Sequence, residues 1–160
     1  MLIFDIETDG LLDTTTRLHC IAIHDTVTGQ TIGYGAEEAE QGVNRLRAAL
    51  LQGRQITGHN IIAFDIPALE KLYPDFIVTR EQRGQIIDTL ILSRLIYSNV
   101  ETTDLGLLKS GQLPSKLYKS HSLRAWGFRL GEYKGDYGEQ ENAWEHYTPE
   151  MLDYCKQDVA

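Results

Sequence analysis

Leu2-Ile3-Phe4-Asp5-Ile6-Glu7 is a short β-rich run that carries two carboxylates where an apolar strand would otherwise continue. Side chains two apart on a strand point to the same face, so Asp5 and Glu7 stand together at a cost in desolvation and mutual repulsion. Outward from this run, Arg17–Asp25 alternates as a second strand should, and Thr26–Gln30 reads as a turn into a third strand, Thr31–Tyr34. Glu37–Leu51 sets Val43, Leu46, Ala49 and Leu50 at helical spacing, and Gly53 closes that helix as a C-cap would. Gln55–Gly58 is a short strand and Phe64–Tyr73 a helix with Asp65 and Pro67 near its first turn. The order to this point is β-β-β-α-β-α.

Ile86-Ile87 predicts a fifth strand, with Asp88 as N-cap of a helix running through Tyr97. Leu90, Ile91, Leu92, Leu95 and Ile96 on that helix predict deep burial. Residues 98–119 read as loop, Ser120–Leu130 as helix and Gly131–Tyr147 as irregular, while Thr148-Pro149-Glu150 carries the start signal of a last helix. No repeat, linker or low-complexity tract divides the chain. The reading is one α/β domain with a mixed five-stranded sheet flanked by helices.

Its 160 residues suffice to bury a core without disulfides or a structural metal. The apolar fraction of 42% and charged fraction of 24% exclude disordered and fibrous classes. Fifteen Lys and Arg against 23 Asp and Glu leave a net charge of -8, so no basic footprint is available to hold a nucleic acid by phosphate neutralisation. Cys20 and Cys155 lie far apart with no CxxC or Cys/His pairing, which fits a reducing compartment. There is no basic leader at the N-terminus and no apolar run approaching the ~18 residues of a membrane span, so the expectation is a cytoplasmic protein with no membrane partner. Walker, HExxH, GxSxG and G-x-G-x-x-G motifs are absent from the sequence.

The D-x-E of Asp5 and Glu7 is worth little by itself. It gains meaning from its strand and from two motifs farther along the chain. His59-Asn60-Ile61-Ile62-Ala63-Phe64-Asp65 runs from a strand end into a helix start, where a carboxylate can project toward the sheet edge. Tyr154 and Asp158 then lie one turn apart on the last helix.

D-x-E, N-x(3)-F-D and Y-x(3)-D in this order, on this β-β-β-α-β-α frame, resemble the DEDD superfamily of 3′→5′ exonucleases, whose fold is ribonuclease-H-like. The histidine branch of that superfamily would place His five residues before the last Asp. That position is Asp153, whereas Tyr154 stands four before, as in the tyrosine subclass. The stretches IIDTLILSRLIYSN, TDLGLL and HSLRAWGFRLGEYKGDY are similar to the proofreading domain of family A DNA polymerases, in particular the replicative polymerases of T-seven-type bacteriophages. This similarity covers nearly the whole chain. One departure is that Asn60 stands five residues before Asp65, where the bacterial family A pattern has four.

The resemblance implies a 3′→5′ exonuclease that releases nucleoside 5′-monophosphates from DNA. Four converging carboxylates could not all stay ionised without cations, and all-oxygen ligands favour two Mg²⁺ or Mn²⁺ ions over zinc. In the implied two-metal scheme Asp5 bridges both ions, Glu7 and Asp158 complete the first, and Asp65 holds the second, directly or through water. Tyr154 would orient the attacking water, since its ordinary pKa near ~10 suits orientation better than proton abstraction. The resemblance further implies that Thr8 contacts the terminal nucleotide, that Leu11 and Phe64 pack on the last bases, and that Asn60 lies along a single-stranded or frayed 3′ end. A polymerase domain of the same natural polypeptide is the implied partner, with this chain a single exonuclease domain that stops within its C-terminal helix at Ala160.

Simpler readings stand beside these. Asp88 reads as a helix cap, the five histidines as structural, Trp126 and Trp144 as core or loop anchors, and Lys134 as a solvated loop lysine. Two other functions fit the motifs: a non-catalytic, exonuclease-like module that positions DNA, and a free-standing RNA-trimming nuclease.

Overall fold

In the computed structural model, which describes residues 1–133, 137 and 143–159, β1 (Leu2–Thr8) alternates without a break. Leu2, Phe4, Ile6 and Thr8 are buried on one face, and Ile3, Asp5 and Glu7 lie half-buried on the other. β2 (Leu18–Asp25) runs antiparallel to β1, and β3 (Gln30–Tyr34) runs antiparallel to β2. On the other side of β1, β4 (Ile56–Gly58) and then β5 (Ile86–Asp88) add in parallel, giving the order β3-β2-β1-β4-β5. The sheet is mixed and five-stranded, as the sequence predicts, with the D-x-E strand at its centre.

Helices cover both faces, which is why β2 is buried along nearly its whole length. On one face Phe4, Ile6, Ile21 and Ile23 pack with Val43, Leu46 and Leu50 of α1 (Ala39–Leu51) and with Ile66 and Leu69 of α2 (Asp65–Leu72). Burying each such side chain contributes about 1.5–3 kcal/mol. Gly53, at φ 74°, follows α1 in the left-handed conformation that a terminating glycine supplies. On the other face Cys20 and Ala22 lie beneath Met151, Cys155 and Val159, a stripe on and just past α6 (Pro149–Gln157). Thr148 caps α6 by accepting from the Met151 N–H at 3.1 Å, with Pro149 at the first helical position as expected.

The chain forms two compact units, Met1–Asp88 with Asp136–Ala160, and Thr89–Gly135. The second contains α3 (Thr89–Ile96), α4 (Val100–Lys109), a 3-10 turn at Ser115–Leu117 and α5 (Leu123–Leu130). Its small core is Leu113, Leu117 and Ala125. Three expectations are corrected here. Residues 98–119 are not a loop, because α4 forms despite Thr102, Thr103 and Gly106, each a poor helix former. Its Asp104 is fully buried and binds Arg129 of α5, which supplies the stability that local propensity lacks. Nor is α3 deeply buried: Leu95 is 72% and Ile96 66% exposed, and the core of this unit lies on the segments that follow it. The helix expected from Ser120 starts only at Leu123, with Ser122 as its cap.

Lys134 and the reading attached to it fall outside the described residues, as does Ala160. Among the described residues no helix is long and apolar enough to cross a membrane.

Candidate active site

Asp5 and Glu7 face α6. The Cys155 thiol donates to the Asp5 carbonyl at 3.3 Å, and one ligand atom each from Asp5, Glu7 and Cys155 falls within 4.8 Å of the others. β1 pairs Asp5 with Ala22 and Glu7 with Cys20, then shifts register between Glu7 and Thr8. That irregularity ends the regular ladder at the second carboxylate, a common device for re-aiming side chains beside a site. Burial pushes the Glu7 carboxyl far above the usual carboxylate range, and the negative charges of Asp5, Asp158 and Asp65 push it further, as does Cys20. The charges of Asp5, Asp158 and Asp65 thus all bear on the Glu7 carboxyl.

Asp65 is the first residue of α2 and is 4% exposed. Burial raises its carboxyl to about 7, against hydrogen bonds from its own and the Ile6 backbone N–H, and Asp88 adds to the rise. Its Oδ1 is buried without a hydrogen-bond partner. The approach to Asp65 is built by backbone constraints. A Cβ on Gly58 would lie 2.5 Å from the Phe4 carbonyl, so only glycine lets β4 end against β1 there. Asn60 is left-handed at φ 68°. The buried Asp88 carboxylate accepts from the Asn60 N–H at 3.1 Å and the Ile62 N–H at 3.0 Å, fastening the turn that delivers Phe64 and Asp65. Sequence reasoning saw only the capping use of Asp88; an acid ending a parallel strand beside a left-handed turn was its one available signal.

Tyr154 projects from α6 into an aromatic group, stacked on Tyr137 at 5.7 Å between ring centroids and edge-on to Trp144 at 6.2 Å. The carbonyl of Trp144 accepts from His19 Nε2 at 3.0 Å, which fixes the protonated nitrogen of that buried histidine. Glu7, Thr8, Gly10, Leu11, Phe64 and Trp144 line a groove of about 240 Å³. Thr8, Leu11 and Phe64 thus line one groove, in which the Thr8 hydroxyl donates to the Gly10 carbonyl at 2.8 Å. Asn60 is not among the groove residues. Trp144, read from sequence as an anchor, is part of the groove wall as well.

Residues 2–110 match the RNase H superfamily. The chain belongs to that superfamily. It is also 41% identical to the DNA-directed DNA polymerase of Escherichia phage T7 and 42% identical to that of Enterobacteria phage T3, over 99% of this chain in each case. The chain spans 25% of the length of these curated relatives.

For an RNase H superfamily chain the donor set fits a hard divalent cation. Burial holds the Cys155 thiol protonated, and it already donates to the Asp5 carbonyl, so it offers no thiolate. Carboxylate oxygens remain, among them the unpartnered Oδ1 of Asp65, and these suit Mg²⁺ or Mn²⁺. The proximity of Cys155 to the acids had no signal in the sequence, because it depends on how α6 lies across β1.

Proposed function

We propose that this chain is a metal-dependent 3′→5′ exonuclease that hydrolyses DNA from its 3′ end to nucleoside 5′-monophosphates, as the proofreading part of a family A polymerase polypeptide. The observation that supports the reading is that Asp5 and Glu7 stand together, with the charges of Asp65 and Asp158 bearing on Glu7, at the head of a groove that Leu11, Phe64 and Trp144 line. Carboxylates so arranged repel one another and are poorly solvated, an arrangement that a fold keeps for cations. The identity to two phage polymerases supports DNA as the substrate and a polymerase domain as the partner.

Asp5, Glu7 and Asp158 would hold one ion and Asp65, with Asp5, a second. When bound, the pair would lower the pKa of a water and stabilise the departing 3′ oxygen. The groove does the binding: Leu11 and Phe64 offer apolar surface to unpaired bases, and stacking on such surfaces is tolerant of sequence. The Tyr154 ring is held by Tyr137 and Trp144, so its hydroxyl is directed without much rotational freedom. Its task is to orient the water in line with the scissile bond. Ions held there would also offset the net charge of -8 where a polyanion approaches.

The deciding experiment incubates the purified protein with a 5′-labelled single-stranded oligodeoxynucleotide, in Mg²⁺ and in chelator. Stepwise shortening from the 3′ end in Mg²⁺ alone is expected. An intact oligonucleotide overturns the reading in favour of a non-catalytic module, and faster shortening of a matched RNA moves the substrate to RNA.

A further inference from the structure

The two cysteines of the chain lie far apart in sequence, and the fold brings both beside Glu7. Cys20 on β2 stands directly opposite Glu7 on β1, on the face that α6 covers. Side chains opposite one another in an antiparallel pair have Cβ atoms about 4.5–5.5 Å apart, close enough for both to reach one ion. Cys155 comes down from α6 onto the same spot, with its sulfur within 4.8 Å of a carboxylate oxygen of Asp5 and of Glu7. The thiols also meet each other: a hydrogen bond between them adds to the burial that raises Cys155. Among the described residues, Asp5, Glu7 and Cys155 are the one group of three or more such side chains gathered closely enough to hold a metal ion. Both cysteines are fully buried while Asp5 and Glu7 are half-buried, so an ion reaches the thiols past the acids.

We propose that Cys20, Cys155 and Glu7, with Asp5 beside them, form a site for a thiophilic divalent cation such as Zn²⁺ or Cd²⁺, and that an ion held there shuts the exonuclease off by occupying carboxylates that Mg²⁺ needs. The shutting off rests on the exonuclease reading above; the site itself does not. Two sulfurs and two carboxylates supply the four ligands of a closed tetrahedral site. At ordinary zinc bond lengths such ligands lie about 3.3–3.8 Å apart, so atoms within 4.8 Å of one another draw in by only about 1 Å. As each metal–sulfur bond forms, the S–H bond breaks and its proton passes to solvent, with no electron transferred. Mg²⁺ does not bring this about, because a hard ion gains little from sulfur. One pair of acids thus serves two classes of cation, and the thiols set which class binds more tightly.

Cd²⁺ is the probe, since its bonds to thiolate sulfur absorb in the ultraviolet and Cys20 and Cys155 are the only thiols in the chain. Titration of the metal-free wild-type protein should give one Cd²⁺ per chain and a thiolate-to-metal charge-transfer band; no band overturns the site. Cys155→Ser, which keeps a donor for the Asp5 carbonyl, and Cys20→Ala should each weaken Cd²⁺ binding by more than about 100-fold, since losing a residue that merely supports a ligand already costs about 10- to 100-fold. Either variant serves if the other fails to fold. Glu7→Gln should weaken binding as well; unchanged affinity there confines the ion to the sulfurs and overturns the sharing of carboxylates. In excess Mg²⁺, Zn²⁺ should stop wild type from shortening a single-stranded oligodeoxynucleotide, and added dithiothreitol should restore it. Cys155→Ser should cleave in Mg²⁺ and tolerate about 100-fold more Zn²⁺. Equal sensitivity of wild type and Cys155→Ser overturns inhibition through the thiols. Wild type that forms the Cd²⁺ complex but leaves DNA whole in Mg²⁺ alone overturns the exonuclease reading, and inhibition with it, while the metal site stands.

Discussion

Acids in the two units of this chain have opposite fates. Asp104, fully buried in the second unit, receives both forks of Arg129 at 2.8 and 2.9 Å and the Lys119 N–H at 2.8 Å. The Arg129 hydrogen bonds outweigh desolvation and hold its carboxyl below the usual range. Glu7 and Asp65 in the first unit are pushed upward by burial, and neighbouring acids add to that. A buried acid with its own cation is structural. Acids that raise one another's pKa work against the fold that carries them, and on the reading proposed above a cation would relieve them.

The contrast is broken most severely at Glu7. Glu7→Gln should lower cleavage by at least about 10³-fold, the scale of removing a group on which the electrostatics of the reaction depends. Its melting temperature in chelator should equal or exceed that of wild type, because one repulsive charge is gone. Asp5→Ala should behave alike. Wild-type turnover in either variant would remove that residue from the site, and a large loss of stability would make it structural like Asp104.

Asp104→Asn should do the reverse, costing about 3–5 kcal/mol at pH 7, since it leaves Arg129, itself 3% exposed at its side chain, without a counter-charge. The pH dependence has a definite sign. The folded carboxyl is depressed, so its stabilisation is present above the unfolded value near ~3.9 and is lost as pH falls through the folded value below it. Denaturant midpoints of wild type and variant should therefore differ at pH 7 and converge in strong acid. A gap that stayed constant across this range would show that shape, not charge, is what Asp104 contributes.

Much of the first unit was legible because its signals are local. Five strands, both flanking helices of the main core and the caps at Gly53 and Thr148 follow from period, glycine and capping chemistry. That Asp65 and Asp158 bear on Glu7 was legible only through the order of three motifs and their resemblance to a family, since no spacing relates residues 7 and 158. In the second unit the local signals misled. Thr102, Thr103 and Gly106 argue against the helix that Asp104 and Arg129 stabilise from across the unit. The apolar run Leu90–Ile96 argues for burial that the fold does not provide, because a helix that is apolar on most sides reads alike whether covered or exposed. The Asp88 clamp, the Cys155 contact and the groove-facing Trp144 share one cause of invisibility: each is made by a tertiary partner.

Tyr154 tests whether the aromatic group belongs with the acids or merely packs beside them. Tyr154→Phe keeps the ring contacts with Tyr137 and Trp144 and removes only the hydroxyl. A loss of about 10- to 1,000-fold in kcat with little change in KM is expected, since an orienting group acts on the transition state while binding is unaffected. Equal activity would assign the ring to packing alone.

The smallest expected effect lies in the choice among DNA ends. If Leu11 and Phe64 must take hold of unpaired bases, a terminus that is already unpaired spares the enzyme the cost of opening it. That cost is about 1–2 kcal/mol per step, which corresponds to about 5- to 30-fold in rate. Duplexes differing only in a matched or mismatched 3′ terminal pair, digested side by side in Mg²⁺, should therefore be trimmed at rates separated by that factor. The preference should vanish on single strands of the same two sequences, because no pair is then left to open. Matched and mismatched termini trimmed alike would leave a nuclease without the discrimination that proofreading requires. A preference that persisted on single strands would mean that side chains at the groove, rather than the energy of the duplex, make the choice.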